Sequence, residues 1–277
     1  MLSGYNRVHE FQLHFYVRKT MSDPAVQSLA EPVPQPTPGL SQIQRVIHTF
    51  TAPSKTFNDI KAGHRSWWLP FLIGLVCTAL FVAVLYTRIG IPQLAENTIH
   101  QSPKLEQQMA DATPENQAKI RQNIEAFIKF PLLGSPIFGL LFVAVLSFGL
   151  WGTINFAFGG KAKYSSIFVS WMYAGLPGAL KGLLGVIVIF ALGAPESFNL
   201  NNPTPTNIAA FLNPLETNKA LYTLLSLLDV LTIWSLALLA IGTATVAGVK
   251  RSSGYVAVFG WFAVFVLVIV GITAAFS

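Results

Sequence analysis

The sequence predicts an all-α polytopic membrane protein, a bundle of five transmembrane helices with amphipathic flanking helices, and three observations carry that prediction. Of 277 residues, 52% are hydrophobic and only 11% are Asp, Glu, Lys or Arg, whereas an ordinary soluble domain carries about 25% charged residues. The mean hydropathy is +0.53. The apolar residues also gather into uncharged runs too long for soluble helices, and five of these runs reach the roughly 20 residues that a hydrocarbon layer needs.

The spans follow in order. The first, about 67–87, opens on Trp67 and Trp68, holds no charge and ends before Arg88. The second, about 134–158, lies inside the uncharged stretch 130–160, which is longer than one span needs and leaves room for tilt or for a re-entrant start at Pro131 to Pro136. The third, about 167–193, is interrupted by Pro177 and Lys181, the fourth, about 221–248, contains Asp229, and the last, about 254–276, is uncharged.

Orientation follows from the Lys and Arg of the short flanking segments, which favour the cytoplasmic side. Lys61 and Arg65 precede the first span, Lys161 and Lys163 separate the second from the third, and Lys250 and Arg251 separate the fourth from the fifth. With five spans all of these fall on one side; splitting 130–160 into two spans breaks that pattern. On the opposite side Lys104, Lys119, Arg121 and Lys129 are balanced by Glu106, Asp111, Glu115 and Glu125. The expected arrangement is a multi-pass cell-membrane protein with its N-terminus cytoplasmic and its C-terminus outside.

Residues 1–39 read as a separate disordered, Pro-rich arm, with prolines at 24, 32, 34, 36 and 38 and few apolar residues to bury. It is a solvated linker or a proline-rich ligand for an adaptor domain. Residues 1–20 contain no signal-peptide core, so the first span is expected to serve as the insertion signal, and Met21 offers an alternative start. The membrane domain is expected over 40–277. At its beginning, Ser41 can cap a helix that places Ile43, Val46, Ile47 and Phe50 on one face with Arg45 and His48 off it. Ser54 can cap a second helix that groups Phe57 and Ile60, with Lys55 and Lys61 near anionic headgroups. The two helices either lie in the membrane interface or pack on the bundle. Between the first and second spans, Thr113 and Pro114 start another helix with Ile120, Ile124, Phe127 and Ile128 on one face.

Motifs for chemistry are mostly absent. One Cys excludes a disulfide framework, and no Cys/His set has zinc spacing. There is no phosphate-binding or dinucleotide-binding Gly loop and no nucleophile elbow. His9, Glu10 and His14 have one residue too many between the histidines for a helical metal pair, and no His lies in a span. No catalytic residue, cofactor or metal ligand is expected, and the net charge of +6 is spread along membrane ends instead of forming a nucleic-acid-binding block.

The informative residues are the two charges inside the expected spans, Lys181 and Asp229. A charge at the bilayer centre costs about 2.5 to 3.5 kcal/mol on insertion scales, so it normally faces the bundle and finds a partner. At 1.5 Å per residue, Lys181 lies about 18 Å and Asp229 about 12 Å below the same membrane side, close enough to pair. The alternatives are a structural pair, a snorkelling Lys beside the Pro177 helix break, or a transport or proton site. Ala174, Gly178 and Gly182, and likewise Ala240, Ala244 and Gly248, recur at four-residue spacing and are expected to let helix backbones approach closely, within the bundle or between copies.

Taken together, three stretches resemble the Yip1 domain family of five-span membrane proteins, in particular its bacterial branch, from roughly Phe50 to the C-terminus. They are FTAPSKTFNDIKAGHRSWWLPFLIG, FAFGGKAKYSSIFVSWMYAGLPGALKGLL and LLSLLDVLTIWSLALLAIGTATVAGVKRSSG. The shared features are a Phe/Pro-containing approach to the first span, a Gly-Gly turn, a Tyr-x-x-x-Pro break, and an Asp followed by Ile-Trp. The resemblance implies a five-helix bundle with a cytoplasmic N-terminus. Eukaryotic relatives contact prenylated small GTPases through a DLYGP-type segment, which this chain lacks, so that role is not carried over. The expected function is that of a non-enzymatic organising or assembly factor that binds lipids or membrane-protein partners, or itself; the alternative is a small solute transporter or channel using Lys181 and Asp229.

Overall fold

The computed structural model describes residues 39–191 and 194–276, with the side chain of Phe276 left out. The proline-rich arm therefore lies, apart from Gly39, outside the described residues, as do His9, Glu10, His14 and Met21. Among the described residues the chain is helical without strands, and five helices are long and apolar enough to cross a membrane.

The chain begins with α1 (Gln42–Thr51) and α2 (Pro53–Ala62). Ser41 and Gln44 form a reciprocal capping box, in which each side chain accepts from the other residue's backbone N–H. Ser54 caps nothing: α2 starts one residue earlier, with Ala52 at its cap and Pro53 at N1, where a missing N–H is harmless. Only half of the expected apolar face of α1 packs inward: Val46 and Phe50 lie against the core, with Phe50 edge-on to Trp234. Arg45 (4% exposed) and Thr49 face the protein, whereas Ile43 (66%) and Ile47 (53%) face away from it. In α2, by contrast, Phe57 and Ile60 are fully buried against the bundle.

Helix α3 (Trp68–Arg88) is the first span, and α4 (Ile91–His100) and α5 (Pro103–Ala110) follow at its far end. Helix α6 (Pro114–Gly152) then runs 39 residues from the Thr113 cap and continues into a π turn, Thr153–Ala157. The expected boundary near residue 134 does not exist, and neither does a re-entrant start at Pro131 to Pro136. Pro136 leaves the Leu132 carbonyl without its helical donor, and the Ser135 hydroxyl supplies one at 2.9 Å.

The third span is α7 (Tyr164–Ala174) followed by α8 (Leu176–Ala191). The break falls at Gly175; Pro177 is the second residue of the new helix and so starts α8 instead of interrupting it. The fourth expected span, 221–248, is likewise two helices, α9 (Lys219–Leu227) and α10 (Val230–Ala247), and α11 (Arg251–Phe276) closes the chain.

Helix α10 is central: it packs on α11, α2, α7 and α8, while α3 pairs with α8. One core, around Phe57, Ile167, Tyr173 and Leu239, lies where the basic turns are. The other, around Leu85, Leu94, Ile128, Ile189 and Phe198, ties α4 and the start of α6 to the ends of α3 and α8. Ala240 and Ala244 are buried where α11 crosses, since a Cβ at Gly254 would collide with the Ala240 carbonyl and lie 2.8 Å from the Ala244 Cβ. Ala174 is buried, and Gly182 is in ordinary contact with the α3 backbone at Cys77. The two other members of the small-residue series differ from expectation. Gly178 faces open space because the break at Gly175 rotates it off the Ala174 stripe, and Gly248 is exposed with φ +71, ending α10 in the left-handed conformation that Gly adopts without strain.

The closest helix approach yields a test. Gly254→Val forces α11 away from the Ala240 backbone and is expected to cost about 1–3 kcal/mol, whereas Gly260→Ala, which meets nothing within 4 Å, stays within about 0.5 kcal/mol of the parent. Thermal unfolding in detergent checks both; equal melting temperatures would remove the tight α10–α11 crossing.

Candidate functional site

The helix break between α9 and α10 creates the most polar centre inside the bundle. Asp229 is not within a helix, as the continuous fourth span required, but at the N-cap of α10. One carboxylate oxygen, Oδ1, accepts from the backbone N–H groups of Leu231 (3.0 Å) and Thr232 (3.1 Å) and from the Thr232 hydroxyl (3.4 Å). The other, Oδ2, lies 3.0 Å from Lys181 Nζ and accepts from the Thr206 hydroxyl. Asp229 is 1% exposed and Lys181 32%. The two charges therefore meet, with the carboxylate serving a helix N-terminus and an ammonium at once.

Thr206 reaches Asp229 because part of the otherwise largely exposed 194–218 connection, around Thr204 to Asn207, turns inward. Its carbonyl accepts from Val230 N at 3.0 Å, its hydroxyl bonds Thr204 at 3.0 Å, and Thr204 and Asn207 are buried. Asn207 and Asn202 exchange side-chain amide bonds, and Asn97 holds the start of the connection through the carbonyls of Pro195 and Phe198. The sequence signalled the Lys181–Asp229 pair through its two charges among apolar residues, but an asparagine-rich stretch of this kind reads as an ordinary loop, so the part played by Thr206 was not signalled.

A second polar knot fastens α1 and α2 to α7. Asp59 receives Leu40 N at 3.0 Å and His64 Nδ1 at 2.9 Å, and the Arg45 guanidinium lies 3.6 Å from it, too long for a hydrogen bond but close enough to neutralise its charge. Arg45 also donates to the His64 carbonyl and lies 5.6 Å from the centre of the Tyr173 ring. The Tyr173 hydroxyl donates to Ser66 O at 3.1 Å. Arg45 was expected off the packing face because a charge on an amphipathic helix normally marks the solvated side; here it marks the buried one.

Two cavities flank α6, which touches α3 and α11 only sparingly. One, about 300 Å³, lies between α3, α6 and the Gly175 break and is lined by Phe71, Gly74, Pro136, Gly139 and Trp171. The other, about 340 Å³, lies between α6, α10 and α11 and is lined by Leu146, Leu150, Trp171, Leu239 and Phe265. Neither Lys181 nor Asp229 lines them. Among the described residues no group of His, Cys, Asp and Glu is placed to hold a metal ion.

The roles at the ion pair separate by mutation. Lys181→Met leaves the buried Asp229 carboxylate with its two amides and two hydroxyls but no countercharge and is expected to cost about 2–3 kcal/mol. Asp229→Leu strands the Lys181 ammonium and the α10 amides together and costs about 3–5 kcal/mol. Asp229→Asn, which still caps, falls between, and adding Lys181→Met to it restores part of the loss. Denaturation of the four variants in detergent measures this; equal losses from Lys181→Met and Asp229→Leu would sink the capping assignment.

No curated protein and no solved structure matches the chain. The family model of the Yip1 domain matches residues 47–272, from within α1 to the last turns of α11, a stretch that takes in Asp59, His64 and Tyr173 of the buried knot, both broken helices and the Asp229 centre. The chain belongs to the Yip1 domain family.

Proposed function

We propose that this Yip1 protein is a non-enzymatic organising or assembly factor that binds lipids or membrane-protein partners side-on, through helix α6. The observation that carries the reading is the stance of α6: it touches α3 and α11 at few places, among them Gly149 against Trp261 and Phe142 against Phe265, and leaves two apolar cavities that share Trp171. The large side chains along its membrane-crossing half point outward, among them Leu133, Ile137, Leu141, Val145 and Phe148. Helix association in lipid needs shape instead of hydrophobic drive, and an apolar ridge bordered by two hollows offers that shape to a partner helix or a second copy. The charges Arg45, Asp59, Lys181 and Asp229 are engaged with one another and with nearby polar groups, so they hold the scaffold instead of waiting for a substrate.

The same reading places the protein in the cell membrane, a bacterial inner membrane in the terms of the resemblance, with α1 and the turns at 158–163 and 248–250 cytoplasmic and the end of α11 outside. In a Cys77→Ser background, Gln107→Cys is expected to react with a membrane-impermeant maleimide on intact cells and Ser252→Cys only after lysis; the reverse pattern overturns the orientation.

A transporter is the second reading, favoured by the two broken helices that meet at a Lys–Asp pair. Gentle detergent co-purification of the tagged chain from its own membranes separates the two. A reproducible stoichiometric partner, lost when Ile137 and Leu141 are replaced by Trp, supports the organiser. Recovery of the chain alone, together with solute flux in proteoliposomes abolished by Asp229→Asn, overturns it.

A further inference from the structure

Four cations from three distant parts of the chain converge on the α10–α11 turn. Lys61 ends α2, Lys161 follows the π turn, and Lys250 and Arg251 form the turn itself. Lys61 Nζ lies 3.7 Å from where a Cβ would stand at Gly248, Lys161 N donates to Ala247 O at 3.0 Å, and Arg251 Nη2 donates to the Ser54 hydroxyl at 3.2 Å. All four side chains are exposed, and none makes an ion pair among the described residues. The acid closest in sequence, Asp59, is already engaged by Arg45 and His64.

The charge gathered at this turn is not answered locally. At the opposite end, Lys119, Arg121 and Lys129 are each ion-paired, with Glu115, Glu96 and Glu125. Helix dipoles do not supply the missing negative charge either. The turn joins the C-terminus of α10 to the N-terminus of α11, whose end charges of about −0.5 and +0.5 cancel. The side-chain charge is left to an external anion.

The surface beside it identifies the anion's chemistry. Tyr255 lies one helical turn from Arg251 on the same face, and both Tyr255 and Val256 are exposed large apolar groups. An anionic head at the turn would thus continue into an apolar tail along α11. We infer that the α10–α11 turn, with Lys61, Lys161, Lys250 and Arg251, is a binding site for the phosphate headgroup of an anionic bilayer lipid. This deepens the lipid-binding part of the proposed function and rests on it, but it does not need the protein partner.

Native mass spectrometry of the full chain from detergent, titrated with phosphatidylglycerol or phosphatidylcholine, tests the site. Phosphatidylglycerol is expected to bind more tightly to the parent. Lys61→Gln/Lys250→Gln/Arg251→Gln is expected to weaken it by about a hundredfold, from about fivefold per cation near an anionic surface. The Arg replacement Lys61→Arg/Lys250→Arg retains it, and Lys104→Gln/Lys119→Gln/Lys129→Gln, which removes equal charge at the other end, leaves it unchanged. Equal loss in the two Gln triples means nonspecific charge and overturns the site. Displacement of the lipid by equimolar glycerol phosphate points to a soluble phosphate ligand and overturns the lipid assignment. Recovery of the chain alone together with Asp229-dependent solute flux overturns the organiser reading and leaves this result standing.

Discussion

A helix whose first turn is buried in a bundle holds backbone amides that water cannot reach, and each one left without a partner is costly. The architecture at the α10 end of the bundle follows from that constraint. The start of α10 would leave its first amides bare, and Asp229 serves two of them. A buried carboxylate in turn needs a countercharge, which Lys181 provides from α8, and the remaining lone pairs draw in Thr206. Thr206 can reach only because part of the 194–218 connection turns inward, and that course is held by Asn97, Asn202 and Asn207. One interrupted helix thus dictates a cation on a neighbouring helix and the course of a 25-residue connection (194–218).

The same logic explains why α1 turns its polar side inward. Its Arg45 carbonyl accepts from the Thr49 and Thr56 hydroxyls, and its guanidinium serves Asp59, the His64 carbonyl and the Tyr173 ring. These contacts tie α1 and α2 together and lock the pair onto α7. With its polar face consumed internally, α1 presents Ile43 and Ile47 to its surroundings, an arrangement that is stable only where those surroundings are apolar.

Much of this was legible before any coordinates. The number of spans followed from run length, and the caps at Ser41 and Thr113 followed from side chains that satisfy orphan amides. The Lys181–Asp229 contact was reachable by counting helical rise from a shared membrane side. What misled the reading was in each case a local rule answered by a neighbour. Pro131 and Pro136 suggested an interruption, yet α6 continues, with Ser135 supplying the donor that Pro136 lacks. The run 221–249 contains no Pro and its only Gly residues lie near its end, so nothing announced the stop at Leu228 except Asp229 itself, whose capping role and intramembrane cost point to different structures. Gly248 matched a small-residue stripe by spacing, but spacing does not report φ. Arg45 and the inward course of 194–218 depend on partners 14 or more residues away, and in the cases of Tyr173 and Asn97 on distant helices, which no periodicity within one segment encodes.

The occupancy of Asp229 also bears on what the centre can do. A solute or ion that used this carboxylate during transport would have to displace at least one of its five donors, and the displaced group would be an α10 amide, a buried hydroxyl or the Lys181 ammonium. A buried donor left without a partner costs about 1–3 kcal/mol, more when it is charged. Of the five, only Lys181 has an escape, being about one-third exposed, so any gating at this site must proceed through the Lys181 side chain swinging away while the amides and threonines stay in place. A centre in which four of five donors are fixed by helix geometry and an inward-turned part of the connection is suited to holding α8, α10 and the 194–218 connection at one distance. The outer ridge of α6 and the unpaired cations of the α10–α11 turn are then surfaces that remain free to meet a partner.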